Sequence, residues 1–177
     1  MMSSSVAFFV LLVLSIKKVH SYENGLARTP PMGWLSWSSF RCEVDCKKYP
    51  TSCINDKLYE TTADAMVKEG FLKAGYNYVN IDDCWSLKER DPKTLAMVPD
   101  ATRFPKGIKG VSDYIHAKGL KFGLYLDIGT KTCAGYPGHL NDKGKSPRDF
   151  FAIDSKSFSD WEIDSLKVDG CNIPQMP

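Results

Sequence analysis

Lys121-Phe122-Gly123-Leu124-Tyr125-Leu126-Asp127 is a short β-rich run closed by a carboxylate, and the same layout recurs along the chain. Tyr76 to Ile81 is stopped by Asp82-Asp83, Leu166 to Val168 by Asp169, and Met32 to Leu35 runs into further aromatics. Helical periods separate these strands. Asn55 is placed to cap a helix in which Leu58, Thr62, Ala65 and Met66 recur at i, i+4, i+7 and i+8, ending before Gly75. Ile108, Val111 and Ile115 mark a second helix with Gly119 just past its end, and Lys156 to Glu162 a third. Residues 137–151 are polar, bear Gly and Pro, and read as an insertion without period.

Four strands joined by helical crossovers imply parallel pairing. Strand starts fall roughly every 45 residues, longer than the minimal unit of about 30, so the loops carry insertions. Neither Gly-x-Gly-x-x-Gly after the first strand nor Gly-x-x-x-x-Gly-Lys-Ser/Thr occurs, so dinucleotide and P-loop readings have no support. Polar and aromatic residues gather instead at or past every strand end: Trp37, Asp82-Asp83, Tyr125 and Asp127, Lys167 and Asp169. In parallel barrels the catalytic face lies at these carboxyl ends. The expected fold is α/β, the first half of a (β/α)8 TIM barrel, truncated after about strand 4 because a full barrel takes about 250 residues.

Composition is ordinarily globular, at 43% hydrophobic and 25% charged with net charge +2, which leaves no electrostatic footprint for nucleic acid. Val6 to Ile16 is a nearly unbroken apolar run, too short to span a bilayer and suited to a signal-peptide core. Residues 1–21 are therefore expected to be a signal peptide, with no membrane span, in a protein of the secretory pathway. The six cysteines would then fall in an oxidising compartment, where an even count suggests full pairing. Six cysteines allow 15 connectivities, and spacing alone does not choose among them. Cys42-x3-Cys46-x6-Cys53 lacks the paired spacing of a zinc site, so neither metal nor cofactor is expected.

Lys167-Val168-Asp169-Gly170-Cys171 puts a cation and a carboxylate on one face of what reads as a short buried strand. A carboxylate beside a cation keeps its charge and can attack an electrophilic carbon. A plain structural ion pair fits the same spacing. Asp82-Asp83 could accept hydrogen bonds from neighbouring hydroxyls of one sugar ring, or could simply open a loop. Trp34 and Trp37, three apart, would face opposite sides of a continuing strand, and Trp37 among serines suits a partly exposed ring available to a sugar face.

Six segments, taken together, resemble glycoside hydrolase family 27, which holds lysosomal alpha-galactosidases and alpha-N-acetylgalactosaminidases. They are residues 25–37 (Gly-Leu-Ala-Arg-Thr-Pro-Pro-Met-Gly-Trp-Leu-Ser-Trp), 78–85 (Tyr-Val-Asn-Ile-Asp-Asp-Cys-Trp), 103–107 (Arg-Phe-Pro-Lys-Gly), 118–125 (Lys-Gly-Leu-Lys-Phe-Gly-Leu-Tyr), 131–138 (Lys-Thr-Cys-Ala-Gly-Tyr-Pro-Gly) and 167–171. The resemblance covers nearly all of residues 23–171. It implies a retaining glycosidase that removes terminal alpha-linked galactose from glycolipids, glycoproteins or oligosaccharides, with an alpha-N-acetylgalactosaminidase as the alternative. Asp169 matches the nucleophile and Lys167 a residue bonding sugar hydroxyls. Asp82 and Asp83 match the pair gripping the galactose-distinguishing hydroxyls, and Trp37 and Tyr125 match ring contacts, with Cys133 and Cys171 bordering the sugar. The resemblance further implies disulfides Cys42–Cys84, Cys46–Cys53 and Cys133–Cys171, a lysosomal or extracellular location, and a homodimer as often found in the family. The family's acid/base carboxylate and its β-domain lie beyond Pro177. Residues 172–177 leave the family pattern and read as a divergent tail, the stretch 139–151 looks several residues longer than the pattern, and Thr130 replaces a glycosylation acceptor. A fragment without its acid is expected to be inactive, leaving a non-catalytic galactose-binding product as the competing reading.

Overall fold

The computed structural model describes residues 24–140 and 148–174. The expected signal segment, 1–21, and the last residues of the tail lie outside them. Residues up to Pro30 form a small unit of turns, in which the Leu26 N–H donates to Asn24 Oδ1 at 3.0 Å. From Pro31 onward the chain is one α/β body. Among the described residues no helix is long and apolar enough to cross a membrane.

Strands β1 (Gly33–Leu35), β2 (Tyr78–Asn80), β3 (Lys121–Asp127) and β4 (Ser165–Asp169) form one sheet in the order β1-β2-β3-β4, every pair parallel. Helices α1 (Trp37–Phe40), α2 (Asp56–Lys68), α3 (Gly107–Ala117) and α4 (Arg148–Asp160) fill the crossovers. Sequential order with parallel pairing is that of the opening β/α units of a (β/α)8 barrel. Gly33 is required where β1 meets β2, because a side chain there would collide with the Tyr78 backbone carbonyl, its partner in register.

β3 is buried at every position except Lys121, as a parallel strand covered on both faces should be. Its side chains Phe122 and Leu124 join Val79, Leu58 and Met66 of α2, and Ile108, Val111 and Ile115 of α3 in a single core. Asn55 caps α2, its side chain accepting the Leu58 N–H at 2.9 Å. The buried stripe of α2 is Leu58, Tyr59, Ala63 and Met66, one position round from the expected one, and Ala65 is exposed.

Three expectations need correction. Trp34 and Trp37 do not share a strand: β1 ends at Leu35 and Trp37 opens α1, while Trp34 packs on Phe40 and Tyr59 at ring separations of 6.0 and 5.9 Å. The third long helix starts at Arg148 rather than Lys156, and it is tied down along its length by Arg90 on Asp154 and by Phe158 in the core, contacts that a local apolar period does not register. β4 is not a buried strand. It is the sheet's outer strand in this chain, with Leu166 and Val168 exposed at 43% and 57%.

Candidate active site

The carboxyl ends of the four strands place the chemistry. Register pairs Tyr125 with Lys167 and Asp127 with Asp169 across β3 and β4, so all four side chains rise at one edge of the sheet. One strand over, Asp82 follows β2, and its backbone N–H donates to the Ser36 hydroxyl beyond β1 at 3.0 Å. Trp37, half-buried, stands next to Ser36 at this same end.

Lys167 is the hub. Its Nζ lies 2.8 Å from Asp82 Oδ2 and 3.8 Å from Asp169 Oδ2, and 5.1 Å from the centre of the Tyr125 ring. Asp82 is almost fully buried, whereas Lys167 and Asp169 keep 41% and 37% of their side chains in solvent. A buried carboxylate thus anchors a cation that remains reachable, beside a second reachable carboxylate. The other Asp82 oxygen accepts the Asp83 N–H at 2.8 Å.

Asp83 is turned elsewhere. Its Oδ1 accepts the Cys84 N–H at 2.7 Å and the Thr132 hydroxyl at 2.9 Å, and its Oδ2 accepts the Ala134 N–H at 3.0 Å. Burial pushes its carboxyl above the ordinary aspartate range against the pull of those donors. Asp83 therefore clasps the loop after β3 to the end of β2. That clasp sets the position of Cys133.

Asp127, read in the sequence only as a strand end, is the residue whose part was missed. It is fully buried, with Oδ1 accepting the Gly129 N–H at 2.7 Å and Oδ2 accepting the Cys171 N–H at 2.9 Å and the Tyr125 hydroxyl at 3.3 Å. It ties the loops after β3 and β4 together. Burial, with the charges of Asp83, Asp169 and Asp127, pushes the Tyr125 phenol upward, so Tyr125 stays a donor at any ordinary pH. Gly129 is needed here because a side chain would collide with the Cys171 carbonyl.

The cysteines pair as Cys42–Cys84, Cys46–Cys53 and Cys133–Cys171, with no free thiol among the described residues. Cys133–Cys171 spans Cα atoms 5.1 Å apart and lies against the candidate nucleophile, Cys133 Sγ being 3.8 Å from Asp169 Oδ2. The loop carrying Cys133 has a further brace. Arg90, in the loop after β2, bonds both oxygens of Asp154 in α4 at 2.8 and 2.7 Å and the Gly138 carbonyl at 3.0 Å. His139 Nδ1 lies 2.7 Å from Asp154 Oδ2 without hydrogen-bond alignment. Burial works against the charge on Asp154, but its partners Arg90 and His139 win and hold its carboxyl below the ordinary 3.8.

A cation joined to one buried and one accessible carboxylate, with aromatics alongside, suits a polyhydroxylated ring next to a carboxylate able to attack it. The family model described as alpha galactosidase A matches residues 29–177. The chain is 49% identical over 149 residues to the alpha-N-acetylgalactosaminidase of Gallus gallus, covering 84% of this chain and 35% of that protein. It is 45% identical over 167 residues to the alpha-galactosidase A of Homo sapiens, covering 94% of this chain and 37% of that protein. The crystal structure of alpha-galactosidase I from Mortierella vinacea superposes with a TM-score of 0.70 at 39% identity, covering 85% of this chain and 33% of that one. This chain thus spans about a third of the length of such relatives. Its strand order, its strand-end residues and these matches agree: the chain belongs to the alpha galactosidase A family.

Proposed function

We propose that this chain supplies the galactose-holding rim and the nucleophile of a retaining glycosidase that removes terminal alpha-linked galactose from glycolipids, glycoproteins or oligosaccharides. The observation that carries the reading is the Lys167 ammonium shared between Asp82 at 2.8 Å and Asp169 at 3.8 Å. Asp169 would attack the anomeric carbon and form a glycosyl-enzyme, while Lys167 and Asp82 bond ring hydroxyls. Trp37 and Tyr125 would contact the ring, and Cys133–Cys171 would border it. Three disulfides favour the secretory pathway, with a lysosomal or extracellular destination.

A retaining mechanism requires a second carboxyl about 5–5.5 Å from the nucleophile. Asp127 has an oxygen within 4.8 Å of Asp169 but is fully buried, with both of its oxygens already bonded. It cannot reach a leaving group. With Asp127 ruled out as that acid, these residues alone are expected to hold galactose and turn over little. The acetamido-sugar reading is favoured by the chicken relative, and the residues described carry nothing that separates the two sugars.

Calorimetric titration of the 177-residue chain with galactose, its C4 epimer glucose and N-acetylgalactosamine tests the proposal. Galactose should bind at least about tenfold more tightly than glucose, since a site built to bond one hydroxyl rejects the sugar that misplaces it. Equal heats for the two epimers would refute the galactose assignment. Brisk turnover of an aryl α-galactoside by this chain would refute the missing acid.

A further inference from the structure

β3 ends on a carboxylate with no solvent around it. Asp127 is fully buried, and its register partner on β4 is Asp169, one oxygen of each lying within 4.8 Å of the other. A buried charge is costly unless donors surround it. The donors gathered on Asp127 come from groups that carry the site. They are the Gly129 N–H, which opens the loop bearing Cys133, the Tyr125 hydroxyl, and the Cys171 N–H two residues past Asp169.

Asp169 is fixed in two stages. Its backbone carbonyl accepts the Ile128 N–H at 3.0 Å, so β3 sets the position of its backbone. Its Oδ1 then accepts the Gly170 N–H at 2.9 Å. That bond leaves Oδ2, 3.8 Å from the Lys167 ammonium, as the oxygen available to attack. Between the Gly170 N–H and the next peptide stands only a glycine Cα, with no Cβ to restrain it. The N–H of that next peptide, at Cys171, is anchored on Asp127 Oδ2 at 2.9 Å. The same oxygen takes the Tyr125 hydroxyl at 3.3 Å, and the Tyr125 ring centre lies 5.1 Å from the Lys167 ammonium. One buried carboxylate thus holds both the turn after Asp169 and the ring beside its cation.

We propose that Asp127 is a positioning residue for the attack: it aims Asp169 Oδ2 through the Cys171 N–H and seats Tyr125 against Lys167 through the phenol hydroxyl. The inference rests on the reading of Asp169 as nucleophile. Asp127 itself stays out of reach of the sugar. Its effect therefore falls on the geometry of attack, where a misplacement of about 1 Å can cost about 100-fold. Affinity, carried by Lys167 and Asp82, should change little. Asp127→Asn keeps the shape but has one acceptor oxygen, and its NH2 is left facing the N–H of Gly129 or of Cys171.

The test is timed capture of the full chain by a 2-fluoro-α-galactosyl fluoride, followed by intact mass and peptide analysis. The Oδ2–C1 bond forms as the C1–F bond breaks and fluoride leaves, so no acid is required. Calorimetry with galactose on the same preparations gives affinity and the fraction of binding-competent chains, by which each rate is divided. Asp127→Asn should capture about 10–100-fold more slowly, with galactose affinity within about threefold of wild type. Asn172→Gly is the contrast. It removes a side-chain amide that ties the same loops through the Lys131 and Thr132 carbonyls at 3.2 and 3.1 Å, and glycine accepts the φ of 51° there. It should capture at the wild-type rate. Tyr125→Phe keeps the ring, should slow capture by itself, and should add nothing in the Asp127→Asn background, because its hydroxyl acts through Asp127.

A wild type that takes no label at Asp169 would overturn the nucleophile reading and this proposal together. With wild type labelled there, three results would overturn the positioning role alone: Asp127→Asn at the wild-type rate, equal losses of rate and affinity, or Asn172→Gly as slow as Asp127→Asn. Should Asp127→Asn yield no folded chain, Tyr125→Phe at the wild-type rate would overturn it as well.

Discussion

Lys167→Met is expected to lower galactose affinity about 10–100-fold while the sheet stays folded. Methionine keeps most of the apolar stem and removes only the charge. A hydrogen bond to a charged group contributes about 1.5–3 kcal/mol, and 1.4 kcal/mol is tenfold in affinity. The variant also strips the cation from two carboxylates at once, since Lys167 Nζ lies 2.8 Å from Asp82 and 3.8 Å from Asp169. Unshielded, the two acids repel and disfavour the charged nucleophile. Lys167→Arg restores the charge on a longer planar fork and should fall between the two. Calorimetry decides it: affinity in Lys167→Met within about twofold of wild type would mean the ammonium does not face the sugar.

Asp154→Asn should cost about 3–5 kcal/mol of unfolding free energy, the usual result of removing one partner from a buried ion pair. Arg90 and Asp154 are 10% and 1% exposed, so water cannot take over. An amide offers one acceptor where the guanidinium needs two, and turns its own NH2 toward another donor. The pH dependence has a definite sign. Asp154 is held below the ordinary 3.8, so its contribution is present above that value and is lost as pH falls through its lowered folded value. Wild type should therefore shed stability below about pH 4, and Asp154→Asn should show a flatter acid limb. Urea unfolding from pH 2 to 7 reads both effects. Parallel acid limbs, or a loss under about 1 kcal/mol, would show that the Arg90 brace is not structural.

Much of this was legible in the sequence for local reasons. Asn55 could be read as a cap because the N–H it serves is three residues on, at Leu58. The rim was legible because each strand closes on a polar residue, and Lys167 and Asp169 share a face by alternation alone. The clasp of Asp83 on Thr132 and the Arg90–Asp154 pair were not legible, because they join residues 49 and 64 positions apart. No periodicity carries such contacts. Tandem aspartates look alike in sequence, yet Asp82 faces the cation and Asp83 holds a loop. The start of α4 was hidden for a different reason, since residues 148–151 adjoin a Gly- and Pro-bearing stretch and read with it as one insertion without period. The disulfide pairing came only from family resemblance, and the three bridges agree with it.

The most direct measurement is covalent capture. A 2-fluoro-α-galactosyl fluoride carries a leaving group that needs no protonation, so attack by Asp169 requires no acid partner. Incubation followed by intact-mass and peptide analysis should place one fluorogalactosyl ester on Asp169, abolished in Asp169→Asn. An adduct on another carboxylate, or none under conditions where galactose binds, would contradict the assignment of Asp169 as the attacking group.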